Sequence, residues 1–159
     1  METPFQAMTF GKKALEQFSV PDRTILDTLS LSPAVRVGRG ATDSNVTIRG
    51  LSSNGNQWYI NGVPGMAHQK DMTANFVESV TVIAGPALGV RGTTAGWQEN
   101  AGGVVDMISK KASSKGDREA KLSFSGKSYV SQAVDVGERF GKNKEWGARF
   151  NVMQGQGTL

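Results

Sequence analysis

The side chains that could carry chemistry in this chain are few. His68 is the single histidine and stands in a polar stretch, "GMAHQKDM", with no second histidine near it. A metal centre needs at least three ligands, so an exposed loop position is the simpler reading of His68. Cysteine is absent, which excludes disulfides, thiolate metal sites and a cysteine nucleophile. Asp22, Asp27, Asp43, Asp71 and Asp106 are scattered, with no pair spaced for general acid–base work. No serine has the G-x-S-x-G context of a nucleophile elbow. "GRG", Gly38 to Gly40, follows an extended run but lacks the third glycine and the helix of a dinucleotide site. "GPALGVRGT" lacks the Lys-Ser/Thr end of a phosphate loop. These residues do not compose an active site, and they call for neither a metal nor a cofactor. The chain therefore reads as a non-enzyme. Arg49 raises a different question, because it ends the β-rich run "VTIRG", where a half-buried strand would not be expected to hold a guanidinium.

The elements that must position these residues follow from periodicity. "FQAMTFG" reads as a short strand and "KKALEQF" as a helix with Ala14, Leu15 and Phe18 on one face. "DRTILDTLS" places Ile25, Leu26 and Leu29 at helical spacing, and Pro33 stops it. "AVRV", "VTIRG" and "WYINGVPG" are strand-like. "VESVTVIAG" alternates Val80, Val82 and Ala84 with Ser79, Thr81 and Ile83, "ALGV" after Pro86 is a short helix, and "VVDMISKK" is a further strand. Strict βαβ alternation is missing, which favours an α+β class with a small mixed sheet, built from the regions near Phe5, Val46, Trp58, Val80 and Val104. From Lys121 the texture changes. The runs 121–130 and 145–153 are about ten residues each, with Leu122, Phe124, Trp146, Phe150 and Val152 on one face and polar residues on the other. That is the pattern of an outer-membrane barrel strand, and equally of a half-buried strand in any antiparallel sheet. Three segments result: 1–112, a linker at 113–120, and a two-stranded hairpin within 121–159.

Composition narrows the class further. Hydrophobic residues make up 38% of the 159, enough to bury a core, yet no run approaches 18 apolar residues, so no transmembrane helix is expected. The N-terminus lacks the order of a signal peptide, which fits a cytosolic protein or a chain whose export signal lies outside these residues. The net charge of +4 is mild, and "SKKASSKGDREAK" reads as a solvated linker rather than a nucleic-acid site. Twenty glycines, against a usual ~7%, predict many tight turns.

The succession "ETPFQAMTF", "LDTLSLSPAVRV", "VTIRGLSSNGNQWYINGVP", "VESVTVIAGPALGVRGT" and "AGGVVDMISKK" resembles the plug domain of TonB-dependent outer-membrane receptors over residues 2 to about 112. The family's order is a strand, two helices, a "PGV" turn, "IRG", "DGV", "VEVLRGP", "YG" and "GGVINIITKK". The resemblance implies that the runs at 121–130 and 145–153 begin a barrel of roughly 22 strands. It implies a plug that gates uptake of a scarce nutrient, such as an iron–siderophore, haem or cobalamin, from inside the lumen of an outer-membrane barrel, facing the periplasm. Its partners would be its own barrel, the nutrient chelate, and TonB through a segment before Glu2. Arg49 matches the "IRG" arginine, and with Glu78 it would dock the plug on the barrel wall by charge-assisted bonds. The outward loops "GRGATDS", "SNGNQ" and "PGMAHQK" make Arg39, Gln57 and His68 the expected ligand contacts. The sequence departs from the family at Asn61, which replaces an acid, at Thr81 and Ala84, which replace a glutamate and an arginine, and in an added "WQEN". The alternative is a soluble α+β interaction module unrelated to transport. On its own the chain is expected to be soluble and to self-associate through residues 121–153, whose apolar stripe and open edges invite pairing.

Overall fold

The computed structural model describes residues 6–18, 25–39, 44–53, 57–66, 73–85, 102–126 and 128–157. The expected "ALGV" helix and His68 lie outside them. The chain opens with strand β1 (Gln6–Gly11), helix α1 (Lys12–Phe18) and the single turn of α2 (Leu26–Leu29). Leu15, Ile25, Leu26 and Leu29 are buried, as helical spacing requires. Phe18, the last residue of α1, is 46% exposed although it lies three residues on from the buried Leu15.

Strands β2 (Val35–Arg39), β3 (Ser44–Ile48) and β4 (Leu51–Ser53) form a separate antiparallel sheet. The Val46 region therefore does not join the main sheet, because β3 is paired on both sides by its sequence neighbours. The arginine of "VTIRG" is not in the strand either. Arg49 and Gly50 are the two loop residues between the paired Ile48 and Leu51, with φ of 52° and 81°. Positive φ at both central residues is the condition of a type I′ hairpin. The guanidinium is thus carried on a turn, and Arg49 is exposed, with its amide donating to the Ala34 carbonyl at 2.8 Å.

The main sheet runs β1-β7-β8-β5-β6 and adds β5 (Trp58–Ile60), β6 (Val63–Pro64), β7 (Val77–Ala84) and β8 (Gly103–Ser109). It is mixed, since β5 pairs β8 in parallel and the other pairs are antiparallel. A second hairpin of the same kind joins β5 to β6 through Asn61 and Gly62, with φ of 52° and 82°. Asn61 accepts from the Ser109 amide at 3.1 Å and donates from Nδ2 to Ser109 Oγ at 2.9 Å. The Ser109 hydroxyl also lies 3.3 Å from Asn61 Oδ1, so the side chain is tied to Ser109 through both its amide atoms. At Thr81 the hydroxyl pairs with that of Thr9 directly across β1–β7.

Val80, Val82, Val105, Met107 and Trp58 lie on the face packed against α1, α2 and β3. Val77 is out of phase with Val80, yet both are buried. A bulge between Val77 and Ser79 restores the phase and turns Glu78 outward. Gly103 opens β8 at a φ of 141°, where a Cβ would collide with the Ile83 carbonyl oxygen, so no other residue fits there without displacing β7.

The rest of the chain forms three strands, not a hairpin: β9 (Asp117–Ser125), β10 (Tyr129–Phe140) and β11 (Trp146–Gln156), with β10 in the centre. The two runs expected to pair with each other both pair with β10. Periodicity missed β10 because neither of its faces is uniformly apolar. Its outward row interleaves Gln132 and Glu138 with valines, and its inward row is Ser131, Ala133, Asp135 and Gly137. Strand β9 also starts at Asp117, inside the stretch read as linker. Leu122, Phe124, Trp146 and Phe150 are 64–74% exposed on the outward side, whereas Ser131, Ala133 and Asp135 are at most 8% exposed on the other.

Candidate functional site

Three parts of the first unit reach the inward face of β9–β11: α1, the turn at 73–76, and the segment 110–113 after β8. Lys110 leaves β8 with its amide bonded to the Phe76 carbonyl at 3.0 Å, which aims its side chain at the strands. That side chain is 4% exposed, and its Nζ lies 3.2 Å from Asp135 Oδ2. Asp135 is central on β10 and also accepts a bidentate pair from Arg149 of β11, Nε to Oδ1 at 2.7 Å and Nη2 to Oδ2 at 2.8 Å. The planar fork of an arginine suits this geometry. Arg149 is in register with Gly137. A Cβ on Gly137 would meet Arg149 Cγ at 3.2 Å and the Ala112 Cα at 3.5 Å. The glycine thus lets the guanidinium stem cross the strand and lets the connecting segment lie close on the sheet.

Arg149 Nη1 donates to the Lys111 carbonyl at 2.7 Å and lies 3.3 Å from Asp117 Oδ2. Asp117 in turn accepts from the Ser113 amide at 3.3 Å. Two cations and two carboxylates therefore alternate across the seam, and each buried charge faces an opposite one. Beside them, Asn151 Nδ2 donates to the Asn75 carbonyl at 2.7 Å, and Asn75 Nδ2 approaches Met153 Sδ.

A second, more exposed cluster joins α1 to β9. Lys12 meets Glu119 at 3.3 Å, and Lys121 meets Glu16 at 2.8 Å and Glu119 at 3.2 Å. Pairs this open to water contribute about 0–1 kcal/mol each. The buried trio of Lys110, Asp135 and Arg149 therefore dominates the seam.

The residues expected from sequence are distributed unevenly about this seam. Glu78 is exposed on β7 and lines a cleft of about 380 Å³ together with Lys12, Lys111, Asp117 and Arg149. Arg49 sits on the β3–β4 turn. Arg39 closes β2 in register with Ser44, and Gln57 is buried at 5% exposure immediately before β5. His68, the third expected ligand contact, lies outside the described residues. The residues that hold the seam, Lys110, Asp135 and Arg149, were missed. Their signal was a lone acid on the small-residue face of β10 and an arginine on the polar face of β11.

A small mixed sheet with short helices is thus clasped to the polar face of a three-stranded antiparallel sheet. Residues 1–96 match the model of the TonB-dependent receptor plug domain, and the chain belongs to that family. It is 25% identical over 156 residues to the ferrichrome receptor FcuA of Yersinia enterocolitica, covering 97% of this chain and 20% of that receptor. It resembles the structure of BauA, the ferric preacinetobactin receptor of Acinetobacter baumannii, with a TM-score of 0.84 and 26% identity over 98% of this chain and 23% of that one. It also resembles the siderophore receptor PiuA of Acinetobacter baumannii, with a TM-score of 0.77 and 26% identity over 96% of this chain and 21% of that one. The chain thus spans about a fifth of the length of the curated relative it matches.

Proposed function

We propose that residues 1–112 are the plug, and the strands from Asp117 onward the start of the barrel, of an outer-membrane receptor that imports a ferric siderophore. The single observation carrying this reading is the polarity of the β9–β11 sheet. Its inward face is charged and clasped to the plug, and its outward face is apolar and exposed. A barrel strand with a polar lumen and lipid outside has this alternation. The similarity to a ferrichrome receptor and a ferric preacinetobactin receptor supports the substrate class.

In this reading the plug makes and breaks no covalent bond. It gates the lumen, sits in the outer membrane facing the periplasm, and is moved by TonB acting on a segment before Glu2. Arg49 and Glu78 add docking contacts to the barrel wall. Arg39 and His68 meet the ligand directly, whereas Gln57, being buried, acts by holding its surroundings. Residues 121–153, presented to water in the chain alone, drive self-association.

The test is uptake of radiolabelled ferric siderophores by iron-limited cells whose sole such receptor is the full-length protein. Arg39→Ala and His68→Ala should each weaken ligand binding about tenfold, the worth of one hydrogen bond to a charged group, without lowering the unfolding temperature. Failure to import any ferric siderophore would overturn the reading, and unchanged affinity in both variants would remove these residues from the site.

A further inference from the structure

The charge of this chain is gathered at one end of the β9–β11 sheet. Residues 110–118 and 138–146 hold seven of the eighteen basic residues and three of the fourteen acidic ones, a net +4 that equals the formal charge of the whole chain. Lys110 is buried, and the other six are exposed: Lys111, Lys115, Arg118, Arg139, Lys142 and Lys144. The fold brings the two segments together. Lys144 Nζ donates to the Ser114 carbonyl at 2.5 Å, tying the β10–β11 turn to the segment before β9. The Arg118–Glu138 pair, at 3.5 Å with side chains 78% and 61% exposed, is screened by water and cancels little of the field. At the opposite end, Lys127 is the only charged residue in 122–134 and 150–157.

The basic end borders the apolar face. Phe140 and Trp146 are cross-strand partners at the end of the outward row, 55% and 66% exposed. Amphipathic and aromatic rings beside clustered cations form the boundary layer of a bilayer, where rings sit at headgroup level and cations meet phosphates. A nucleic acid fits less well, because the cations edge an apolar face and Glu138 and Glu145 stand among them.

We propose that this end of the sheet is a binding surface for anionic phospholipid headgroups, with Phe140 and Trp146 seated where headgroup gives way to acyl chain. The proposal rests on the reading of the outward row as lipid-facing. Each basic residue held near an anionic surface is worth about fivefold in partitioning, and the effect decays within a Debye length of ~10 Å at 0.1 M salt.

The test is co-sedimentation of the 159-residue chain with vesicles of pure phosphatidylcholine and with vesicles containing one third phosphatidylglycerol. Binding to the anionic vesicles should be at least about tenfold tighter at low salt, with the preference lost near ~1 M salt. Combined Lys115→Gln, Arg118→Gln and Lys142→Gln, all exposed positions, should remove most of that preference and leave binding to neutral vesicles unchanged. Trp146→Ala should weaken binding to both. Equal binding to the two vesicle types, or a preference that survives the triple substitution, would overturn the headgroup surface alone. Binding to neither would overturn the lipid-facing reading with it.

Discussion

Asp135→Ala is expected to destabilise the chain by about 3–5 kcal/mol, the cost of removing one partner from a buried ion pair. Asp135 and Lys110 side chains are 7% and 4% exposed. The substitution leaves the Lys110 ammonium without the carboxylate that faces it and deprives Arg149 of its bidentate acceptor. Arg149 keeps the Lys111 carbonyl and Asp117, so the larger part of the penalty falls on Lys110. Replacing both charges with apolar groups, Lys110→Met with Asp135→Leu, should cost less than Asp135→Ala, because no unpaired charge remains on that axis. Urea unfolding followed by tryptophan fluorescence reads both variants. A loss below about 0.5 kcal/mol for Asp135→Ala, the range of an ordinary surface change, would mean that the seam is solvated.

The second large effect belongs to the core. Trp58→Ala should cost about 3–5 kcal/mol, the range for deleting a buried large aromatic. Trp58 is 0% exposed and lies in register with Val105, where β5 pairs β8 in parallel. It packs in the cluster that also holds Leu15, Val46, Val80 and Met107, so its removal opens a cavity shared by α1 and both plug sheets. Phe150→Ala is the contrast. That ring is 66% exposed on the outward row, and its loss in water should stay within about 0.5 kcal/mol. Equal effects at the two positions would contradict the assigned inside and outside.

Much of the plug was legible in sequence because its signals are local. The alternation in "VTVIA" gives β7, the helical spacing of Ile25, Leu26 and Leu29 gives the buried face of α2, and the order of short motifs gives the family. Strand β10 was hidden because its buried row is Ser131, Ala133, Asp135 and Gly137, with no large apolar side chain to mark it, and Gln132 and Glu138 break its outward row. The turn at Arg49 was hidden because arginine seldom adopts positive φ, so "IRG" looks like a strand end. The seam was hidden for a different reason. Its pairs join residues 25 positions apart at Lys110–Asp135 and 107 apart at Lys12–Glu119, and no periodicity links charges at such separations. Only the fold brings them together.

The claim that the plug and the first strands are held as one body by a buried charge pair is tested most directly by a double-mutant cycle. Lys110 directly follows β8 of the mixed sheet and Asp135 lies on β10, so their coupling measures the contact between the two sheets and nothing within either. Unfolding free energies of the parent chain, Lys110→Met, Asp135→Leu and the combined variant should give a coupling of at least about 1 kcal/mol, within the range for residues in one ion-pair network. Additivity to within about 0.5 kcal/mol would contradict the account, because the two charges would then act independently.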